Sequence, residues 1–178
     1  MSSLLTHPAP VIALGAALGT RRIPPRLLLW AAVFSILPDM DVVGFGFGIS
    51  YGSWLGHRGF SHSLLFALLC GLLGVWAAPW LKASRPLSGA LLCLAVASHI
   101  ALDALTNGGL GVAAFWPFSE ARYFFPWQPI QVSPIGLKAF MTSWGLRVII
   151  SELLWVWLPL LLLALACRSF TKRGKTRG

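Results

Sequence analysis

Apolar residues fall into five runs, residues 4–19, 26–37, 62–81, 87–106 and 146–167, with most of the charge between them. Crossing about 30 Å of hydrocarbon takes about 20 helical residues, so the last three runs are long enough and the first two are short. Short runs reach only part of the way across. Non-helical backbone at membrane depth is tolerated where protein covers it or water reaches it, which is a setting for a recessed polar site. The pattern predicts one domain over residues 1–178, an all-α polytopic membrane bundle of about five segments. The run 26–37 should end at Leu37, because Pro38 disfavours helix at the residue before it.

Composition agrees. Of the 178 residues 57% are apolar and 11% charged, whereas soluble domains carry about 25% charge; the mean hydropathy is +0.76. A net charge of +9 would raise nucleic acid as a partner of a soluble protein, but here the basic residues lie between apolar runs and topology explains them, so no nucleic acid is expected. Cys70, Cys93 and Cys167 sit in apolar runs without ligand spacing and read as buried, inert thiols. No N-terminal signal peptide is expected, and Arg21-Arg22 lies too deep in the chain for a twin-arginine signal.

The charges order the runs. Arg21, Arg22 and Arg26 follow the first, Lys82 and Arg85 separate the third from the fourth, and Arg168, Lys172, Arg173, Lys175 and Arg177 follow the fifth. If each run crosses once, all ten share one side, and the positive-inside rule makes it cytoplasmic. The N-terminus then lies outside, while the basic tail 167–178 lies inside and meets anionic headgroups. Counting rise from the basic clusters places His7, Asp39, His99 and Asp103 about 18–27 Å above them, and His62 about 30 Å. Independent segments thus bring their few ionisable groups to one layer on the outer side.

The stretch 38–63 holds two of the four histidines and two of the five acidic residues. Asp39 and Asp41 form a DxD pair whose side chains diverge on extended backbone or converge on a turn. His57 and His62 flank Arg58-Gly59, and Ser61 is a candidate N-cap for the third run. His99 and Asp103, four apart on a helix, share a face and can offer nitrogen and oxygen to one ion. An ionisable residue inside a membrane segment is a functional hypothesis by default. His7, ahead of Pro8, joins the set by depth. Imidazole and carboxylate donors suit zinc, manganese or iron, and their number is enough for two or more ions about 3.5–4 Å apart, which clamp a phosphoryl group and activate a water. Arg58 is the expected phosphate contact. Glu152, within the fifth run, should pair with Arg147 or with a metal-bound histidine; Glu120 should face solvent. Between residues 107 and 145, Trp116, Trp127 and Trp144 with their aromatic neighbours read as an interfacial belt or as a lipid-binding lip over the site. Pro117, Pro126, Pro129 and Pro134 argue against regular helix there.

His7, Pro38-Asp39-x-Asp41, His57-Arg58-Gly59-x-Ser61-His62-Ser63, His99-x-x-x-Asp103 and Trp116-Pro117-Phe118, in that order, make the chain resemble, over nearly its whole length, the YdjM family of bacterial inner-membrane, LexA-regulated metal-dependent hydrolases. That resemblance implies an inner-membrane location and phosphoester hydrolysis, and a distant similarity to zinc-dependent phospholipase C and P1 nuclease, helical enzymes that hold several metals with His and Asp.

Metal-dependent hydrolysis of a phosphoester in a lipid or lipid-linked substrate is therefore the expected function. His7, Asp39, His62, His99 and Asp103 are the expected ligands of a divalent metal, zinc or manganese; Asp41 and His57 are further ligands or general acid and base. Membrane lipids are the expected partners. The alternative is a metal-binding transporter or sensor without hydrolysis, although a transporter should show pseudo-repeated halves and no repeat is visible. A structural membrane protein whose His and Asp residues only pair is the weakest reading.

Overall fold

The computed structural model describes residues 1–175, with side chains as far as Ser169. The remaining basic side chains of the predicted tail lie outside the described residues. Seven helices follow in order: α1 (Ala9–Leu18), α2 (Pro25–Phe34), α3 (Leu64–Leu81), α4 (Arg85–Ala104), α5 (Leu137–Phe140), α6 (Ser143–Glu152) and α7 (Leu158–Lys175). Among the described residues there is no strand, only two isolated bridges, Thr106 with Ile130 and Val112 with Tyr123. The chain is an all-α membrane bundle, as its hydrophobic pattern predicts. Four stretches are long and apolar enough to cross, Pro25–Phe47, Leu64–Leu81, Arg85–Ala104 and Ser143–Ser169, while α1 is shorter.

The first of these spans corrects one expectation. The helical path does not end at Leu37 but continues beyond Pro38 as a 3₁₀ segment, Leu37–Phe47. Pro38 falls in the first turn of that segment, where a missing N–H costs nothing. Proline also starts α2 and occupies the first turn of α1 and α4, positions its fixed φ suits. The cap of α3 is Ser63, whose Oγ accepts from the Phe66 amide at 3.1 Å; the expected cap, Ser61, has another task.

Lipid tails are as apolar as leucine, so helices in a bilayer associate through close packing rather than through expulsion of water. Helices α3 and α4 do this through glycine: a Cβ on Gly74 would lie 2.6 Å from the Ser88 carbonyl oxygen. A core of Val11, Leu27, Ala31, Leu81, Leu92 and Ala95 ties α1 and α2 to this pair. Ala9, Leu102, Ile130 and Val156 form a second cluster against the last span. Between α6 and α7 the backbone widens into a π-helical turn, Leu153–Trp157. Of the cysteines only Cys70 is buried; Cys93 is half-buried and Cys167 exposed, so the expectation of three buried thiols fails for α7.

The aromatic loop is locked to the stretch before α3. Arg122 donates to the carbonyls of His57, Gly52 and Ser53 at 3.0, 3.3 and 3.1 Å, and the Ala113 amide donates to the Arg58 carbonyl at 2.9 Å. Trp116, followed by a cis peptide to Pro117, stacks on Trp54 with ring centroids 5.4 Å apart. Phe118, 93% exposed, projects from the loop, as an interfacial anchor would. Through these connections the start of α1, the 3₁₀ segment, the start of α3 and the end of α4 meet at one end of the bundle.

Candidate metal centre

His99 and Asp103 lie one turn apart on the buried face of α4, and neither is accessible. Asp39 approaches from the 3₁₀ segment, His62 from the 3₁₀ turn Phe60–His62 just before α3, and His7 from the residue ahead of Pro8. Three residues per turn set positions i and i+2 about 240° apart. Asp39 and Asp41 accordingly diverge, Asp39 into the cluster with His99 and Asp103, Asp41 towards His57 and Ser61. The loop 56–62 can turn this tightly because position 59 is glycine: a Cβ there would lie 2.2 Å from the Trp54 carbonyl oxygen. Arg58 itself adopts a left-handed conformation, φ 64°.

The hydrogen bonds fix where the ring protons sit. His99 Nδ1 faces the Ser35 carbonyl at 2.8 Å, and a carbonyl only accepts, so Nδ1 carries the proton and Nε2 presents a lone pair. His57 Nδ1 is 2.7 Å from Asp41 Oδ1, which leaves its buried Nε2 with no hydrogen-bond partner. Ser61 Oγ donates to Asp41 Oδ2 at 2.6 Å and so can accept from His62 Nδ1 at 3.0 Å. His62 Nε2 then points a second lone pair at His99 Nε2, 3.0 Å away. Two lone pairs at that distance repel unless a proton or a cation lies between them. An imidazole whose Nδ1–H is held by an oxygen while Nε2 is free is the arrangement of a metal-bound histidine.

The carboxylates complete the picture. Asp39 is buried and neither of its oxygens has a hydrogen-bond partner. His7 Nε2 is 3.2 Å from Oδ2, at ion-pair distance but outside hydrogen-bonding geometry. Asp39 Oδ1 is 3.6 Å from His99 Nε2 and 3.7 Å from His62 Nε2, and Asp103 Oδ2 is 3.4 Å from His62 Nε2. Donor atoms of Asp39, His62, His99 and Asp103 all lie within 4.8 Å of one another, and those of Asp41, His57 and His62 form a second such group. A buried carboxylate without partners costs several kcal/mol, and a divalent ion would satisfy it together with the two lone pairs. The residues therefore fit a metal. Without one, burial pulls the His62 pKa down, yet the neighbouring carboxylates of Asp103, Asp39 and Asp41 prevail and push it up to about 10. Positive charge is drawn to that point either way.

All eight site residues expected from the sequence come to this end of the molecule, in different surroundings. His7 stacks on His99 with centroids 3.7 Å apart, which backs the ring. Arg58 is fully buried. Its Nε donates to Asp103 Oδ2 at 3.2 Å, its NH2 to Thr106 Oγ1 at 2.8 Å, and its NH1 to the carbonyls of Gly108 and Leu110 at 3.1 and 2.5 Å. With its fork occupied in this way, Arg58 clamps α4 to the following loop, and the expected phosphate contact gives way to that task. Glu152 pairs with neither Arg147 nor a histidine. It accepts from the Ser3 amide, from Ser3 Oγ at 2.6 Å and from Thr6 Oγ1 at 2.9 Å, so it secures the segment that carries His7. The Ser2 amide donates to Asp103 Oδ1 at 2.8 Å. Sequence reasoning missed Ser2, Ser3, Thr6, Thr106 and the Ser35 carbonyl; a buried polar cluster near His7 and Thr106 was the available signal for all but the last.

Residues 1–175 of the 178 match the family model described as YdjM inner membrane protein. It is 46% identical over 164 residues to the inner membrane protein YbcI of Escherichia coli strain K12, covering 92% of this chain and 95% of that one. The chain belongs to the YdjM inner membrane protein family. No solved structure matches, and the expected likeness to phospholipase C and P1 nuclease gains no support from these relatives.

Proposed function

We propose that this member of the YdjM family of multi-pass inner membrane proteins is a metal-dependent hydrolase acting on a phosphoester in a lipid or lipid-linked substrate. The observation that carries the reading is the buried Asp39 carboxylate, unbonded at both oxygens and set against the free Nε2 atoms of His62 and His99. Asp39, His62, His99 and Asp103 are the residues that would hold the ion, with His7 behind them. A divalent ion, zinc by this donor set and manganese as the rival, supplies Lewis acidity and lowers the pKa of a water. The chain's own part is positional. Asp41 keeps the proton of His57 on Nδ1, so Nε2 is free to take a proton from a nucleophilic water and then pass it to a leaving oxygen. The Ser35 carbonyl and Ser61 hold His99 and His62 in the matching tautomer. Arg21, Arg22, Arg26, Lys82, Arg85 and Arg168 at the opposite end support an outer-side site, with the N-terminus outside and the C-terminus cytoplasmic.

One observation favours the rival reading of a metal carrier or sensor: every residue that would hold the ion is enclosed, and hydrolysis needs an open path for a substrate. The purified protein separates the two. Metal content is measured by elemental analysis, then turnover of phospholipids and model phosphodiesters is followed with and without chelator. Chelator-sensitive turnover is expected. Bound metal with no turnover across these substrates favours the carrier or sensor, and absence of bound metal under reconstitution overturns both. A C-terminal reporter active only in the periplasm should stay silent.

A further inference from the structure

At the end of the bundle away from the metal centre, α2, α3 and α4 enclose a groove of about 480 Å³ walled by Trp30, Phe34, Leu73, Trp76, Trp80 and Leu92. Its wall is aromatic and aliphatic, and its edge is basic. Arg26, in the first turn of α2, holds its guanidinium 4.0 Å over the Trp80 ring, so the charged edge touches the groove wall. Lys82 closes α3 and Arg85 opens α4 at the same level, both exposed. None of these three makes an ion pair among the described residues. The five acidic residues lie elsewhere: Asp39, Asp41, Asp103 and Glu152 around the metal centre, Glu120 in the aromatic loop.

Helix stability does not account for this edge. Lys82 suits the C-terminal end of α3, but an arginine in the first turn of a helix opposes the macrodipole, and α2 and α4 each have one there with no acidic residue in that turn. Topology does not account for it either, since loop charges such as Arg21 and Arg22 mark the side equally well without lying over a groove. An apolar slot within the hydrocarbon, bordered by uncompensated cations at headgroup level, matches a ligand with a hydrocarbon tail and an anionic head. Basic pockets between membrane helices bind such lipids. We infer that this groove is a binding site for an anionic phospholipid, one acyl chain lying against Trp30, Trp76 and Trp80 and its phosphate against Arg26, Lys82 and Arg85. The site is independent of the hydrolytic reading and of the metal.

The full-length chain, purified in detergent, is titrated with dioleoyl phosphatidylglycerol or with dioleoyl phosphatidylcholine and followed by native mass spectrometry and thermal unfolding. Phosphatidylglycerol should remain bound and raise the unfolding midpoint, while phosphatidylcholine with the same chains does neither. The R26Q/R85Q variant should weaken phosphatidylglycerol binding about fivefold for each arginine removed. Ala77→Trp fills the groove without changing charge and should also displace the lipid. If that variant does not accumulate, the wild-type lipid comparison and the rim variant still decide. Equal retention of both lipids, undiminished phosphatidylglycerol binding by R26Q/R85Q, or a lipid-free dimer with the groove covered by a second copy would overturn the inference.

Discussion

His57 and His99 each hold their Nδ1 proton on an oxygen, 2.7 Å from Asp41 in one case and 2.8 Å from the Ser35 carbonyl in the other. Around His57 the polar atoms answer one another, apart from its own Nε2. Asp41 accepts from the ring, from the Arg58 amide at 3.2 Å and from Ser61, and Arg58 is taken up by Asp103, Thr106 and two carbonyls. Around His99 they do not: the Asp39 carboxylate has no hydrogen bond, and two lone pairs face each other. The loop region is a scaffold that satisfies its carboxylate and its arginine and leaves only His57 Nε2 unbonded, whereas the α4 region leaves a buried carboxylate and two facing lone pairs that a cation or a proton would satisfy. Residue type does not distinguish ligand from support here, since both regions use His and Asp; the carboxylate left without a hydrogen bond does.

The largest expected effect lies on the scaffold. Arg58→Ala removes every side-chain bond of a buried cation and leaves Asp103 without its charged partner, a loss of about 3–5 kcal/mol. Chemical unfolding in detergent should show it with or without chelator, and an unchanged midpoint would break the clamp assignment. Asp39→Asn should do the opposite kind of damage. Losing a ligand should cost more than the roughly 10–100-fold that loss of a supporting residue does, so bound metal should fall by at least about 100-fold. The metal-stripped variant should be no less stable than stripped wild type, because a neutral amide replaces a buried carboxylate that no hydrogen bond satisfies. Chelator should therefore lower the unfolding midpoint of the wild type and leave that of Asp39→Asn in place. Wild-type metal content in Asp39→Asn would sink the proposed centre.

How much of this was legible in the sequence follows from the same contrast. The segments could be counted because lipid demands long apolar runs, and the depth of His7, Asp39, His62, His99 and Asp103 could be counted because helical rise is regular. Direction within a layer could not. That Arg58 turns inward to Asp103 depends on its left-handed backbone and on the carbonyls of a loop some 50 residues away, which no local spacing reports. Glu152 was read against nearby Arg147 or a histidine, yet its partners are Ser3 and Thr6, brought over by the packing of α1 against the last span. The 3₁₀ continuation through Pro38 escaped because the rule for residues before proline speaks against α-helix at Leu37 and not against the tighter helix that replaced it.

A smaller effect tests whether the scaffold acts on the centre. Asp41→Asn keeps an acceptor for His57 Nδ1 but turns the second oxygen into a donor, which opposes the Arg58 amide, Ser61 and His62 Nδ1. Metal affinity should fall about 10–100-fold, the range for a lost supporting group, and the ligand set should remain. Cobalt substitution reads this: the absorption of the bound ion should persist in Asp41→Asn at higher metal concentration and stay absent in Asp39→Asn.

The smallest effect separates two serines two residues apart. Ser61 donates to Asp41 and sits 3.0 Å from His62 Nδ1, while Ser63 caps α3 through the Phe66 amide. Removing either hydroxyl should cost about 1 kcal/mol of stability, so unfolding alone cannot tell them apart. Metal affinity can. In Ser61→Ala the ring of His62 keeps only Asp41 Oδ2, 3.3 Å away, and loses the acceptor that fixes its tautomer, so affinity should drop severalfold. In Ser63→Ala the ring keeps both neighbours and affinity should hold. Equal affinities in the two variants would mean that His62 is oriented by the backbone of its 3₁₀ turn, and the division between a self-satisfied loop and a cation-dependent core would have to be drawn on the other side of His62.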